Sequence, residues 1–576
     1  MKLVIRQYLA SLKERKELDA LLPDLLSQIG LEVFLKPSVG SRQYGVDVGA
    51  FGKLTQNSEN KVYLFSVKSG DLGRKDWDSG NLQDLRPSIN EIVDVFIPNH
   101  IPVEYKNKPI EICLCFGGNI KEDVRQNVTQ YTQKQTTENM EFSEWNGDRL
   151  AELIEQHMLR EELLPENCRG LLRKSLAMID EPDISFKHFS ELIYLLTDMN
   201  GMKLKQALAS IRQLYLCLWI LYAWCREEDN LESVYLSLER AALYAWDSSK
   251  PALGKKNKLA LEIQETLHAI LLLNLQVTQR YLEVKILPHV QVPYALSHAV
   301  RSSCTLDVNL KMFDILGRLA IGAIWSSWSQ AQVDDDSDKF EYFSKNISRY
   351  QAAITSLINN NPILLTPYKD EQAIDIALAL FALSSDPYQL DNMHTWLNGI
   401  TNSIYNQFRL NGQYPSNINS YAELIEHPKY NSEEYRKEVT KGSVLYPYIS
   451  AVSAIFGFLQ PYETVQKIKK EFLPHCNFQV FFFTEESEEH FYKFEKTHGA
   501  TLSHVCVDEL PEKLVEKLSD ECKQSNKLNE LSAIKYSHWP LILMGCRHYR
   551  LPVPMHFFMS MYEQINQAAE DENKSS

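Results

Sequence analysis

The chain has 576 residues, 44% of them hydrophobic and 23% charged, and a net charge of -15. That length excludes a single compact core and implies three or four folded units at the usual ~100–200 residues each, while the composition excludes a largely disordered chain. The acidic balance excludes a protein that coats nucleic acid by bulk electrostatics; residues 1–80, however, carry 12 Lys and Arg against 10 Asp and Glu, so any nucleic-acid contact is expected to be local and N-terminal.

The opening MKLVIRQYLASLKERK lacks the apolar core of a signal peptide. The longest apolar stretch, roughly 214–225, falls short of the ~20 residues of a membrane span, so a soluble cytoplasmic protein with no membrane contact is expected. Ten cysteines include no Cys-x-x-Cys pair, and reduced, mostly buried thiols are the expectation; Cys113 and Cys115 point the same way from one strand without forming a chelate.

In chain order, residues 5–29 read as a helix with Leu18, Leu22, Leu25 and Ile29 at helical spacing and Gly30 as its stop, kinked or divided at Pro23. The period then changes. Segments 31–36, 43–51 and 61–69 read as strands separated by the turn-forming PSVGS and TQNSENK. A helical pattern around 82–96, a strand at 110–116 closed by Gly117-Gly118, a helix at 120–134, a strand at 140–145 and a helix at 147–158 complete an α/β unit over residues 1–158. Residues 159–182 are expected to be a linker and 183–470 a mainly α-helical array without a fixed repeat period. Residues 471–569 read as a small α/β and helical region, with strands near 478–483 and 502–507 and a helix at 511–522, and 570–576 as a disordered tail. Trp219, Trp224, Trp325 and Trp328 fall at helical spacings typical of core.

Chemistry concentrates in the N-terminal unit. If 43–51 is one strand, Tyr44, Val46, Val48 and Ala50 share an apolar face, and Gly45, Asp47, Gly49 and Phe51 share the other. Asp47 then stands between two glycines, with open space into which a substrate backbone fits. On the next strand Ser66 and Lys68 share a face, so a hairpin brings Asp47, Ser66 and Lys68 to one side. A carboxylate and a lysine on adjacent strands are what phosphodiester hydrolysis requires: the acid holds Mg²⁺, which activates water, and the lysine orients or polarises the nucleophile.

The order helix, Gly30, strand, Arg42-Gln43-Tyr44-Gly45-Val46-Asp47, strand, Ser66-Val67-Lys68-Ser69-Gly70 resembles the PD-(D/E)XK nuclease superfamily, in particular its Mrr-like restriction endonuclease branch, over about residues 1–155. The resemblance implies a restriction-endonuclease-like α/β fold for this region and a metal-dependent DNA endonuclease, with Asp47, Ser66 and Lys68 in its catalytic site and Mg²⁺, or Mn²⁺, as cofactor. One departure matters: Ser66 stands where the family has a metal-binding glutamate. Relatives with a Ser-Val-Lys triplet supply the acid from the following helix, which points to Asp84 or Glu91. Others use a glutamate of the first helix, where Glu17 is the preferred match, as metal ligand with Asp47, and Glu14 the alternative nearer the apolar stripe. Arg42, Arg74 and Lys75 flank the site as candidate DNA-phosphate contacts.

The C-terminal HWPLILMGCRHYRLPVPMH gathers His538, Cys546, His548 and His556, but Cys546 and His548 lie two apart on a helix and face different ways, which argues against a metal site. Arg547, His548 and Arg550 are instead expected as cations complementing the last helical turn. No phosphate-binding G-x-x-x-x-G-K-[ST] run, G-x-G-x-x-G loop or G-x-S-x-G elbow is present.

Two functions follow. In the first, the chain is a metal-dependent DNA endonuclease whose helical region acts as a sensor or regulatory part, binds a protein partner or activator, and serves restriction or anti-phage defence, the setting the resemblance implies. In the second, a catalytically degenerate nuclease fold is a scaffold for DNA or a protein partner. Oligomeric state is left open by either.

Overall fold

The computed structural model describes residues 5–6, 9–10, 12, 14, 18–37, 43–54, 58–81, 83–157, 166–198, 202–227, 229–335, 337–427, 432–493 and 500–563. The expected tail at 570–576, and with it Glu17 and Arg42, lies outside the described residues. The chain divides into two compact units, residues 1–241 with 251–271 and residues 242–250 with 272–576.

The first unit opens with helix α1 (Asp19–Ile29), which ends on Gly30 in the left-handed conformation at φ +103°, its amide capping the carbonyls of Leu26 and Ser27. Pro23 does not divide α1. The amide it lacks would have reached the Asp19 carbonyl, so one hydrogen bond of the i→i−4 ladder is given up there. Five strands follow, β1 (Glu32–Leu35), β2 (Val48–Gly52), β3 (Lys61–Lys68), β4 (Ile110–Phe116) and β5 (Met140–Trp145), in the spatial order of the chain. The first two junctions are antiparallel and the last two parallel. A parallel pair needs a crossover, and helices α2 (Arg74–Asp78) and α3 (Leu85–Glu91) lie between β3 and β4, with α4 (Glu122–Gln135) between β4 and β5; α5 (Gly147–His157) follows.

All seven residues of β4 are buried, as a central strand covered on both faces requires. On one face Val62, Leu64, Ile110 and Ile112 pack with Ile92 and Phe96, and Leu114 and Phe116 pack with Trp77, Leu85 and Ile89. On the other, Phe65 meets Trp145 edge-on at 4.9 Å.

The expected strand at 43–51 is shorter. Tyr44 and Gly45 have φ of +50° and +81°, so 43–46 form a turn and the strand begins at Val48. A Cβ on Gly45 would stand 2.1 Å from the Ser88 carbonyl oxygen of α3, and one on Gly49 would stand 2.7 Å from the Phe34 ring. The two glycines therefore leave room for the chain's own packing, not for a substrate backbone.

The boundary expected at 159–182 also changes. Residues Glu166–Ala177 form helix α6, followed by α7 (Pro182–Thr197), α8 (Leu204–Glu227), α9 (Glu232–Ser249) and α10 (Lys258–Tyr281), and the first unit takes in α6–α8 together with parts of α9 and α10. Arg212 of α8 explains why: it pairs with Asp24 of α1 at 3.3 Å and with Glu262 of α10 at 3.2 Å. Helix α8 is long and apolar enough to cross a membrane, but most of its apolar window is buried inside the protein, as in a core helix. Trp219 within it is buried.

The second unit is built on α11 (Thr305–Gln330), against which α12 (Asp338–Asn360) and α13 (Ala373–Leu383) pack; α14 (Leu390–Leu410), α15 (Leu445–Phe456) and α16 (Leu459–Glu471) continue the helical part. A small sheet joins β6 (Gly442–Ser443) in parallel and β8 (Ala500–His504) in antiparallel to β7 (Asn477–Phe483), close to the strands expected here. Helices α17 (Pro511–Gln524) and α18 (Pro540–Tyr549) follow. Trp325 and Trp328 of α11 are buried. Arg547 and Arg550 do not complement a free helix end: Arg547 pairs with Asp314 at 2.6 Å, and Arg550 with Asp375 at 2.7 Å. The residues of the His- and Cys-rich segment are engaged separately, Cys546 donating to the Pro552 carbonyl at 3.4 Å and His556 Nε2 lying 2.8 Å from the Ser525 carbonyl.

Candidate active site

The parallel strands β3, β4 and β5 end side by side, at Lys68, Phe116 and Trp145. Three loops are stitched together beyond them, with Gly118 N–H donating to the Gly70 carbonyl, Gly147 N–H to the Gly118 carbonyl, each at 2.9 Å, and Asn119 N–H to Asp71 Oδ1 at 2.8 Å. The N-terminal segment crosses this edge closely enough that a Cβ on Gly117 would stand 2.0 Å from the Leu9 carbonyl oxygen. In open α/β sheets the carboxyl ends of parallel strands are where ligands bind, because loops and helix starts leave a crevice there.

Asp47 enters this edge from the residue before β2. Its amide donates to the Phe65 carbonyl at 2.8 Å, and its Oδ2 accepts the Val67 N–H at 2.7 Å, so β3 holds both its backbone and its carboxylate. Burial raises the Asp47 pKa from 3.8 to about 6, against the Val67 hydrogen bond and the Lys68 charge, which lower it; Glu14 and Asp19 raise it further. Lys68 closes β3 and is largely buried, and its ammonium donates to Glu14 Oε1 at 3.1 Å. Glu14 and Leu18 both have i→i+5 helical backbone, and Glu14 and Asp19 both act on the Asp47 carboxylate.

The expected residues thus separate. Asp47 and Lys68 come together, and Glu14 of the first helix, the alternative to Glu17, reaches Lys68. Ser66 is 1% exposed, registered against Leu114 of β4, and stands in the packed sheet face with Leu64. Asp84 is committed elsewhere: its Oδ2 accepts the Ser79 N–H at 2.5 Å, the Ser79 hydroxyl at 2.9 Å and the Asn81 N–H at 3.1 Å. Burial acts to raise its pKa, but those hydrogen bonds outweigh it and hold the carboxyl below its ordinary value. Glu91 ends α3, half-buried, and the largest influences on Asp47 come from other residues. Arg74 and Lys75 are exposed on α2, the turn anchored by buried Leu72 and Trp77 directly after the Lys68 loop.

Asp19 was not expected, and its signal was weak: a five-residue spacing from Glu14 falls outside the 3.6-residue period of an α-helix. Among the described residues no three His, Cys, Asp or Glu side chains are gathered as a ready metal site. The Glu14 carboxylate on Lys68 and the Asp47 carboxylate, on which the charges of Lys68 and Glu14 act, nevertheless suit a hard cation that is commonly held by one or two protein carboxylates and completed by water and phosphate oxygens. Compared with protein families, with curated proteins and with solved structures, the chain matches none.

Proposed function

We propose that the N-terminal α/β unit is a Mg²⁺-dependent DNA endonuclease with Asp47, Lys68 and Glu14 as its working residues. The observation that carries this reading is the convergence of Asp47, Lys68 and Glu14, from two strands and the first helix, at the carboxyl end of the parallel strands. The succession of an antiparallel β1–β2–β3 meander, a helical crossover and a parallel β4 supports it as well, because it is the order in which the resemblance to PD-(D/E)XK nucleases places its motifs.

Asp47 and Glu14 would hold the ion, which when bound supplies Lewis-acid charge at the phosphate and a more acidic water. Asp47 is held in place by Val67, so its orientation costs nothing at the moment of reaction. Lys68, which donates to Glu14 Oε1 here, would be placed to donate to the attacking water or to a phosphate oxygen where Glu14 held the ion. Arg74 and Lys75 reach the flanking phosphates from the exposed side of α2. The helical segments act as a sensor or regulatory part with a protein activator, in restriction or anti-phage defence.

One observation favours a second reading, a nuclease fold that binds DNA without cutting it: Ser66 replaces the expected glutamate and is buried. Incubation of the full chain with supercoiled plasmid and Mg²⁺ separates the two. Cleavage that disappears in Lys68→Ala and Asp47→Ala supports the enzyme; cleavage that survives both overturns the assignment, and Mg²⁺-independent DNA binding without cleavage supports the scaffold.

A further inference from the structure

Within the second unit, α11, α12, the end of α13, the start of α18 and helical residues 556–563 surround a cavity of about 690 Å³. That volume lies within the roughly 300–1,000 Å³ of sites that take a small organic molecule. Buried Ile324 and Phe557 close its floor, half-buried Ile347, Phe381 and Trp539 stand in its walls, and exposed Ser385 and Ser560 mark its mouth.

The lining narrows what the cavity can hold. Charged residues make up 23% of the chain, yet none lines this cavity among the described residues. An ion entering it would exchange its hydration for apolar walls without a counter-charge, so the occupant is neutral. The rings are held against one another: Phe381 stands edge-on to Trp539 at 6.1 Å and to Phe557 at 5.8 Å, and Trp539 and Phe557 lie 6.0 Å apart. Three rings set in this way offer both faces and edges to a further flat ring, which would take their half-buried apolar surface out of water.

Two donors in the lining are not used by the protein. A helical serine often turns its hydroxyl back to the carbonyl four residues earlier, as Ser326 does to Gly322 at 2.8 Å. Ser327, the next residue, does not. Neither its hydroxyl nor the Trp539 indole N–H has a hydrogen-bond partner among the described residues. Both residues line the cavity and are only half-buried, so a ligand can reach them. The end of the chain is chemically unlike the cavity, because residues 564–576, QINQAAEDENKSS, hold one large apolar side chain among polar and acidic ones.

We propose that the cavity binds a neutral, flat aromatic molecule carrying a hydrogen-bond acceptor, its ring against Phe381 and Phe557 and its acceptor toward the Ser327 hydroxyl and the Trp539 N–H. The site is independent of the nuclease reading.

The test is fluorescence titration of the full chain with prodan, a neutral naphthalene ketone, and with the anionic naphthalene sulfonate ANS as its charged counterpart. The expected result is saturable, blue-shifted binding of one prodan per chain, at least tenfold tighter than ANS. Ser327→Phe places a ring in the cavity and is expected to abolish that binding with the circular dichroism unchanged. Trp539→Phe keeps a ring but removes the N–H, and is expected to weaken it about three- to tenfold. No saturable prodan binding, ANS binding as tightly, or unchanged prodan affinity in either folded variant overturns the proposal.

Discussion

Lys68 and Glu14 are 54 positions apart in the chain, and their side chains meet at 3.1 Å beside the buried carboxylate of Asp47. In the proposed nuclease reading this pair, from β3 and the first helix, supplies the carboxylate that Ser66 does not. The first prediction concerns Glu14. Glu14→Gln keeps the shape and a hydrogen bond to Lys68 but removes the charge, so Mg²⁺-dependent plasmid cleavage is expected to fall at least a hundredfold, while Glu17→Gln stays within about threefold of wild type. Equal losses in the two variants would assign the acid differently.

Asp47 predicts a pH signature in stability. Its pKa is raised from 3.8 to about 6, so between those values the native state keeps a proton that the unfolded chain releases. The stabilisation this gives is fully present below about pH 4 and is lost as the pH rises through about 6. Asp47→Asn stays uncharged and still accepts the Val67 N–H, so it is expected to be more stable than wild type at pH 7, by on the order of 2–3 kcal/mol, and no more stable at pH 4. Urea unfolding at the two pH values reads this, and a gain that does not depend on pH contradicts it.

A cation at Asp47 favours the ionised carboxylate and expels the same proton. Titration of Mg²⁺ into the full chain near pH 6 in buffers of different ionisation enthalpy is therefore expected to show proton release that vanishes by pH 8 and in Asp47→Asn. Proton uptake, or release unchanged in the variant, counts against Asp47 as a ligand.

Gly45 should be intolerant of a side chain. Its φ is +81° and a Cβ would lie 2.1 Å from the Ser88 carbonyl oxygen, so Gly45→Ala is expected to cost about 2–4 kcal/mol of stability, combining backbone strain with overpacking. An unfolding midpoint equal to wild type would show that the turn and α3 yield more easily than their packing implies.

Asp84 provides the contrast. Its carboxylate gathers the Ser79 and Asn81 amides and the Ser79 hydroxyl, so Asp84→Ala is expected to lose about 1–2 kcal/mol in urea unfolding and to retain Mg²⁺-dependent cleavage in folded protein. Loss of cleavage at full stability would return Asp84 to the site.

The apolar run of β3 and the helix stop at Gly30 were legible because each is dictated by local rules, a strand-length apolar stretch bounded by turn residues in one case and a left-handed cap in the other. Asp47 and Lys68 were legible for the same reason: each sits at the end of such an element. The strand at 43–51 was overread because apolar alternation runs through Tyr44 and Gly45, whose positive φ ends the extended run, and the close approach of Gly45 to Ser88 of α3 is a tertiary contact with no local signature. Glu17 was preferred from the resemblance and Glu14 was the alternative that helical angles put nearer the apolar stripe; Glu14 meets Lys68, and Glu17 lies outside the described residues. A helix, Glu166–Ala177, lies where a linker was expected, and Asp24, Arg212 and Glu262 join across long separations, which composition does not reveal.

The central claim, that Asp47 and Glu14 together hold a divalent ion beside Lys68, is tested most directly by electron paramagnetic resonance of free Mn²⁺ during its titration into the full chain. The expected result is one bound Mn²⁺ per chain, lost in Asp47→Asn and in Glu14→Gln and kept in Glu17→Gln. Binding that survives both Asp47→Asn and Glu14→Gln would contradict the claim.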